Sequence, residues 1–113
     1  MRLSEYQDDS SQTAIYPGAL TGVRPAMNYA VLGLVGEAGE LANKVKKIYR
    51  DDIDETSDEF REAVKQELGD VLWYVARVAD EFGLELDDVA ESNLSKLFAR
   101  QEAGTLGGSG DSR

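Results

Sequence analysis

The 113-residue chain contains no cysteine and no histidine. Without cysteine there is neither a disulfide framework nor a thiolate metal site. Without histidine, the commonest metal ligand and the commonest general base are both missing. Any catalysis therefore runs on carboxylates, Lys, Arg, Tyr or hydroxyls. Positive charge is also scarce: 12 Lys and Arg stand against 22 Asp and Glu, a formal net charge of -10. That balance argues against a nucleic-acid polymer as partner, because backbone binding needs arrays of cations. Small anionic substrates held through metal ions stay open. No apolar run reaches membrane-spanning length, and the polar segment Met1 to Gln12 does not read as a signal peptide. A cytoplasmic protein with no membrane partner is the expectation.

What is present reads as helix. Hydrophobic residues make up 42% and charged residues 30%, a globular balance, and the length suits one modest core that self-association would enlarge. Ser4 and Gln7 form a capping-box pattern for a first helix ending by Tyr16, before Pro17-Gly18. Pro25 suits the first turn of a second helix reaching about Arg50. Thr56 with Glu59 marks the start of a third, which Gly83 stops after Phe82. Asp87 is the expected cap of a fourth, ending near Gln101. One helical domain over residues 1–102 is followed by a Gly/Ser-rich tail, 103–113, expected to be disordered. Met27, Val31, Leu34, Ala38, Leu41, Val45 and Ile48 form an apolar stripe on the second helix. Val64, Leu68, Val71, Val75, Val78 and Phe82 do so on the third, and Ala90, Leu94 and Leu97 on the fourth. The stripes predict an all-α, antiparallel four-helix bundle with this set as its core.

One position before the stripe run Glu37, Glu40, Lys44 and Lys47 on the second helix, and Glu67, Asp70 and Tyr74 on the third. Residues three or four apart stack along one side of a helix, so each acid pair forms a row beside the apolar seam. If the helices are antiparallel, the rows can face one another. Four facing carboxylates repel and need a compensating cation, and an all-oxygen set suits magnesium or manganese. The simpler reading is two solvated faces, with Glu40 and Lys44 an ordinary i,i+4 pair. Against it, the acids sit among apolar or small neighbours, and Gly33, Gly36 and Gly39 each cost about 1 kcal/mol relative to Ala in a helix interior. Such glycines suggest close approach by a ligand or another helix. Spacing alone leaves both readings open.

Gly33-Leu-Val-Gly-Glu37-Ala-Gly-Glu40, followed after 26 residues by Glu67-Leu-Gly-Asp70, resembles the paired motif of MazG-like all-α nucleotide pyrophosphohydrolases. The likeness extends over roughly Tyr6 to Arg100. It implies a four-helix unit assembled as a dimer or dimer of dimers. It also implies a magnesium site, with manganese able to substitute, made by Glu37, Glu40, Glu67 and Asp70. The reaction implied is hydrolysis of a (deoxy)nucleoside triphosphate to monophosphate and pyrophosphate, with one of these acids orienting the water. Many relatives open the first motif with two adjacent Glu; here Gly36 takes the earlier place, which leaves the number of metal ions open.

The same resemblance makes Asn93 and Lys96 phosphate contacts and Tyr74 a base-stacking residue. Lys44 and Lys47 continue the acidic row, where they would balance the rest of a triphosphate. Trp73 reads more readily as packing than as a base contact. Gln7 and Thr13 are candidates to lie over the pocket, and Arg50 to complement a helix C-terminus. The alternatives are a phosphoribosyl-ATP pyrophosphohydrolase and, from another class, a non-catalytic helical dimerisation module. A ferritin-like di-iron centre is excluded because it uses Glu-x-x-His.

Overall fold

Pro25 lies in the first turn of a long helix whose far end is Asp51, where Asp52 turns left-handed (φ 52°) and its N–H reaches Ile48 O. A computed structural model of the chain describes residues 1–107, and among these every regular element is helical: α1 Leu3–Ser11, α2 Arg24–Asp51, α3 Asp58–Glu81 and α4 Leu86–Glu102. The last part of the expected tail, residues 108–113, lies outside the described residues. No helix among the described residues is long and apolar enough to cross a membrane.

Most helix ends fall within a few residues of their expected places, but the capping groups differ. Ser57, not Thr56, caps α3, its hydroxyl accepting from Phe60 N at 3.2 Å. Thr56 is instead held to Asp54, through its N at 2.9 Å and its hydroxyl at 2.7 Å. Gly83 stops α3 in the left-handed region (φ 67°), so that Leu84 N bonds back to Ala79 O at 2.8 Å. Glu85 takes the cap position of α4, and Asp87 and Asp88 fall in its first turn, favourably placed for the helix dipole.

α2 packs along α3 as a helical hairpin, while α1 lies against α3 and α4. Ala26 and Ala30 on α2, and Ala76 and Ala79 on α3, are buried, and their small side chains let the backbones come close. The apolar stripe expected as core is not the core of the single chain. Val31, Val45, Leu68, Phe82 and Leu94 are 40–52% exposed, Ala38 is exposed, and the other stripe residues are half-buried. The reason is a rotation of one position. The row Ala26, Ala30, Gly33, Glu37 takes the seam because small residues permit the closest approach, and the larger stripe beside it is left half-buried to exposed. α4, which would have covered that stripe, docks on α1 instead.

Two buried polar side chains hold this arrangement. Gln7 joins α1 to the α3–α4 turn: its amide donates to Asp80 Oδ1 (2.8 Å) and Leu84 O (2.9 Å), and its carbonyl accepts from Leu86 N (2.8 Å). Gln7 therefore serves the turn, not a pocket. Glu81 organises the loop before α2, accepting from the Tyr16 hydroxyl, Leu20 N (2.8 Å) and Gly22 N (3.0 Å). Burial disfavours its charged form, but these bonds and the Arg77 charge outweigh it and hold the carboxyl below its ordinary value. The Tyr16 hydroxyl is pushed well above the usual phenol range by burial and by that carboxylate.

Candidate functional site

Because the small-residue row occupies the seam, Glu37, one turn beyond Gly33 on α2, is carried to it and meets the acids of α3. Glu37 and Glu67 are half-buried, Asp70 is exposed at the rim, and one carboxylate oxygen from each lies within 4.8 Å of the other two. Burial, then the charges of Asp70, Glu67 and Glu40, push the Glu37 carboxyl above its ordinary value. Three carboxylates this close without His or Cys form a hard, all-oxygen donor set, the kind that suits magnesium or manganese. The residues present therefore fit a divalent cation.

Glu40 is exposed and does not join the three-carboxylate group, although its charge is felt at Glu37. Lys44 does reach the group: its ammonium lies 3.6 Å from Glu67 Oε1. Lys47 is half-buried further along α2 and acts electrostatically on Asp51. Arg50 is engaged with Asp51 by two 2.8 Å bonds.

Beside the acids, Glu37, Asp70, Trp73 and Tyr74 line a recess of about 300 Å³. Tyr74 fits there because of Gly33, where an added Cβ would come within 2.1 Å of the Tyr74 ring. Open space surrounds Gly36 and Gly39, so only the first glycine of the series is explained by close approach. The recess is backed by a run of rings. Trp73 meets Tyr74 edge to face at 4.9 Å, Tyr74 lies 6.4 Å from Tyr29, and Tyr29 stacks on Tyr16 at 4.6 Å. Trp73 is thus a wall of the recess and not mere packing.

Asn93 and Lys96 lie elsewhere. They line a separate groove of about 540 Å³ with Leu84, Asp88 and Val89 at the α3–α4 junction, with none of the four acids in its lining. Sequence reasoning passed over Tyr16, Tyr29, Arg77 and Glu81. A signal existed for the last two, since each is a charged residue in the largely apolar run from Trp73 to Phe82. Arg77 pairs within α3 with Asp80, but its hydrogen-bond acceptors on α1, and the Tyr16, Leu20 and Gly22 donors to Glu81, are partners that sequence spacing does not display.

A model of the MazG nucleotide pyrophosphohydrolase domain matches residues 27–105. Gene 37 protein of Mycobacterium phage L5 is 47% identical over 118 aligned residues, covering all of both chains. The uncharacterized protein YvdC of Bacillus subtilis (strain 168) is 39% identical over 74 residues, 61% of this chain and 70% of its own. No solved structure matches. The domain match takes in α3, α4 and nearly all of α2, with both acidic motifs, and the chain belongs to the MazG nucleotide pyrophosphohydrolase family.

Proposed function

We propose that the protein hydrolyses nucleoside triphosphates, deoxy forms included, between the α- and β-phosphates, in a magnesium-dependent reaction that manganese also supports. Water adds to the α-phosphorus, the bond to the bridging oxygen breaks, and nucleoside monophosphate and pyrophosphate leave. The observation that carries the reading is the meeting of Glu37, Glu67 and Asp70 across the α2–α3 seam. Their mutual repulsion calls for a cation, and Glu40, one turn from Glu37, adds a fourth acid at the edge. A divalent ion bound there would supply Lewis-acid polarisation of the phosphate and a more acidic water.

The chain's own groups divide the remaining work. One of the clustered acids orients the attacking water and takes up its proton. Lys44 and Lys47 hold the β- and γ-phosphates. Tyr74 and Trp73, whose rings border the acids, receive the base by stacking.

Self-association belongs to the same reading. The exposed part of the stripe, with Leu72 and Phe98, is the apolar surface that a dimer or dimer of dimers would bury. Asn93 and Lys96, absent from the lining of the recess, would meet substrate phosphates only across such an assembly.

The test is pyrophosphate release from a panel of ribo- and deoxyribonucleoside triphosphates and phosphoribosyl-ATP, with magnesium and with chelator. Magnesium-dependent release from the triphosphates is expected. Release from phosphoribosyl-ATP alone would reassign the substrate, and no release from any would leave a non-catalytic helical module. Light scattering on the same sample should give twice or four times the chain mass; a monomer would remove the assembly.

A further inference from the structure

Trp73, half-buried, lines the recess in front and is held from behind. Its Nε1–H donates to Thr13 Oγ1 at 2.8 Å, and the Thr13 hydroxyl in turn donates to Ser10 O at 2.9 Å. Arg77, one turn further along α3, is completely buried, with its guanidinium carbon 5.3 Å from the indole centroid. One end of that guanidinium is fixed: Nη2 donates to Gln7 O and Ser10 Oγ, both at 2.9 Å, and pairs with Asp80 at 3.0 Å. Nε and Nη1 are buried and make no hydrogen bond among the described residues. The indole face is the neighbour shown for the rest of the guanidinium, a cation–π contact strengthened by the complete burial of Arg77. Both anchors lead to the C-terminal turn of α1, the edge of the indole through Thr13 and its face through Arg77.

We propose that Thr13 and Arg77 are positioning residues that lock the Trp73 indole as a wall of the recess, so that α1 sets nucleotide affinity without touching the nucleotide. The inference rests on the reading of that recess as the nucleotide site. Neither residue reaches the lining made by Glu37, Asp70, Trp73 and Tyr74. Their effect passes through the indole, and it falls on binding and not on the bond-breaking step. A free indole would have to be immobilised on each binding event, whereas a pre-set one carries no such cost.

The chain has a single Trp, so its emission reports on Trp73 alone. Thr13→Val keeps shape, removes the acceptor, and changes an exposed turn residue. The full-length variant should show a shifted emission maximum and a KM raised about fivefold, the equivalent of one lost hydrogen bond, with kcat unchanged. Thr13→Ser should restore both, and Arg77→Lys, which keeps charge but loses the flat face, should move both as Thr13→Val does. Unchanged emission, an unchanged KM, a loss confined to kcat, or failure of the Ser rescue would each overturn the proposal. Absence of turnover in the unmodified protein would refute the enzymatic reading instead. The emission shift and its rescue by Ser would then decide the positioning on their own, present in its favour and absent against it.

Discussion

The Lys44 ammonium stands 3.6 Å from the Glu67 carboxylate, so the cation at the end of the acidic row on α2 crosses the seam to the acidic row on α3. With 37% and 15% side-chain exposure the pair is partly screened, and its own contribution to stability is small. Its placement matters more: it holds a positive charge beside three acids, in reach of whatever anion they bind through a cation.

Removing that charge should therefore show in substrate binding before it shows in folding. Lys44→Ala is expected to raise KM for a triphosphate about tenfold, the scale of one charge-assisted hydrogen bond. Inhibition by the monophosphate product should hardly change. Steady-state kinetics with product inhibition measures both, and equal weakening of the two would remove Lys44 from the phosphate site.

Glu37→Gln and Asp70→Asn each lower the negative charge of the cluster. Either change should reduce pyrophosphate release by at least about a hundredfold, the scale of a lost general base or metal contact, with helical circular dichroism unchanged. In chelator, Asp70→Asn should melt no lower than the unmodified chain, because like-charge repulsion is relieved. Addition of magnesium should raise the midpoint of the unmodified chain far more than that of the variant. Thermal melts in the two buffers provide the comparison.

Gly33 tests the seat of Tyr74. A Cβ there would meet the ring at 2.1 Å, a contact no side chain sustains, so Gly33→Ala should displace Tyr74 and cost about 1–3 kcal/mol of overpacking. Gly36→Ala, in open space, should instead be neutral or slightly stabilising through better helix propensity. Urea denaturation of the two variants should separate them in sign.

Acid should loosen the loop before α2. The Glu81 carboxyl is held below its ordinary value of 4.5, so its contribution to stability is complete above that value and is lost as pH falls through the lowered folded-state value. Glu37 has the opposite sign, since burial and the neighbouring acids raise its carboxyl, so that it binds a proton more tightly in the folded chain and both penalties are relieved on acidification. Glu81→Gln should destabilise the protein at pH 7 and flatten its stability loss below pH 4.5. Melting midpoints between pH 3 and pH 7 would show whether the variant's slope is the smaller one.

How far sequence reasoning reached can be followed on α2 and α3. Acid rows placed one position before the apolar stripe were legible from spacing, and Glu37, Glu67 and Asp70 do meet. Which row would enter the seam was not. A 3.6-residue period identifies faces but not which face meets which partner, and the Ala and Gly row won because the helices close more tightly on it. Asn93 and Lys96 repeat the edge pattern on α4, yet that helix docks on α1, so the same local pattern leads to a different groove.

Local chemistry along the chain was enough to determine an all-helical protein, four segments with nearly correct ends, and a carboxylate set without histidine or cysteine. Those properties depend on neighbours within a turn or two, through propensity, capping and periodicity. Only the tertiary structure decided that Glu40 stays at the margin, that Trp73 becomes a wall held by Thr13 and Arg77, and that part of the large apolar stripe stays exposed. Those outcomes depend on contacts between residues as far as 70 positions apart, such as Gln7 with Arg77. They were settled by steric closeness and charge compensation between helices, which no single helix encodes.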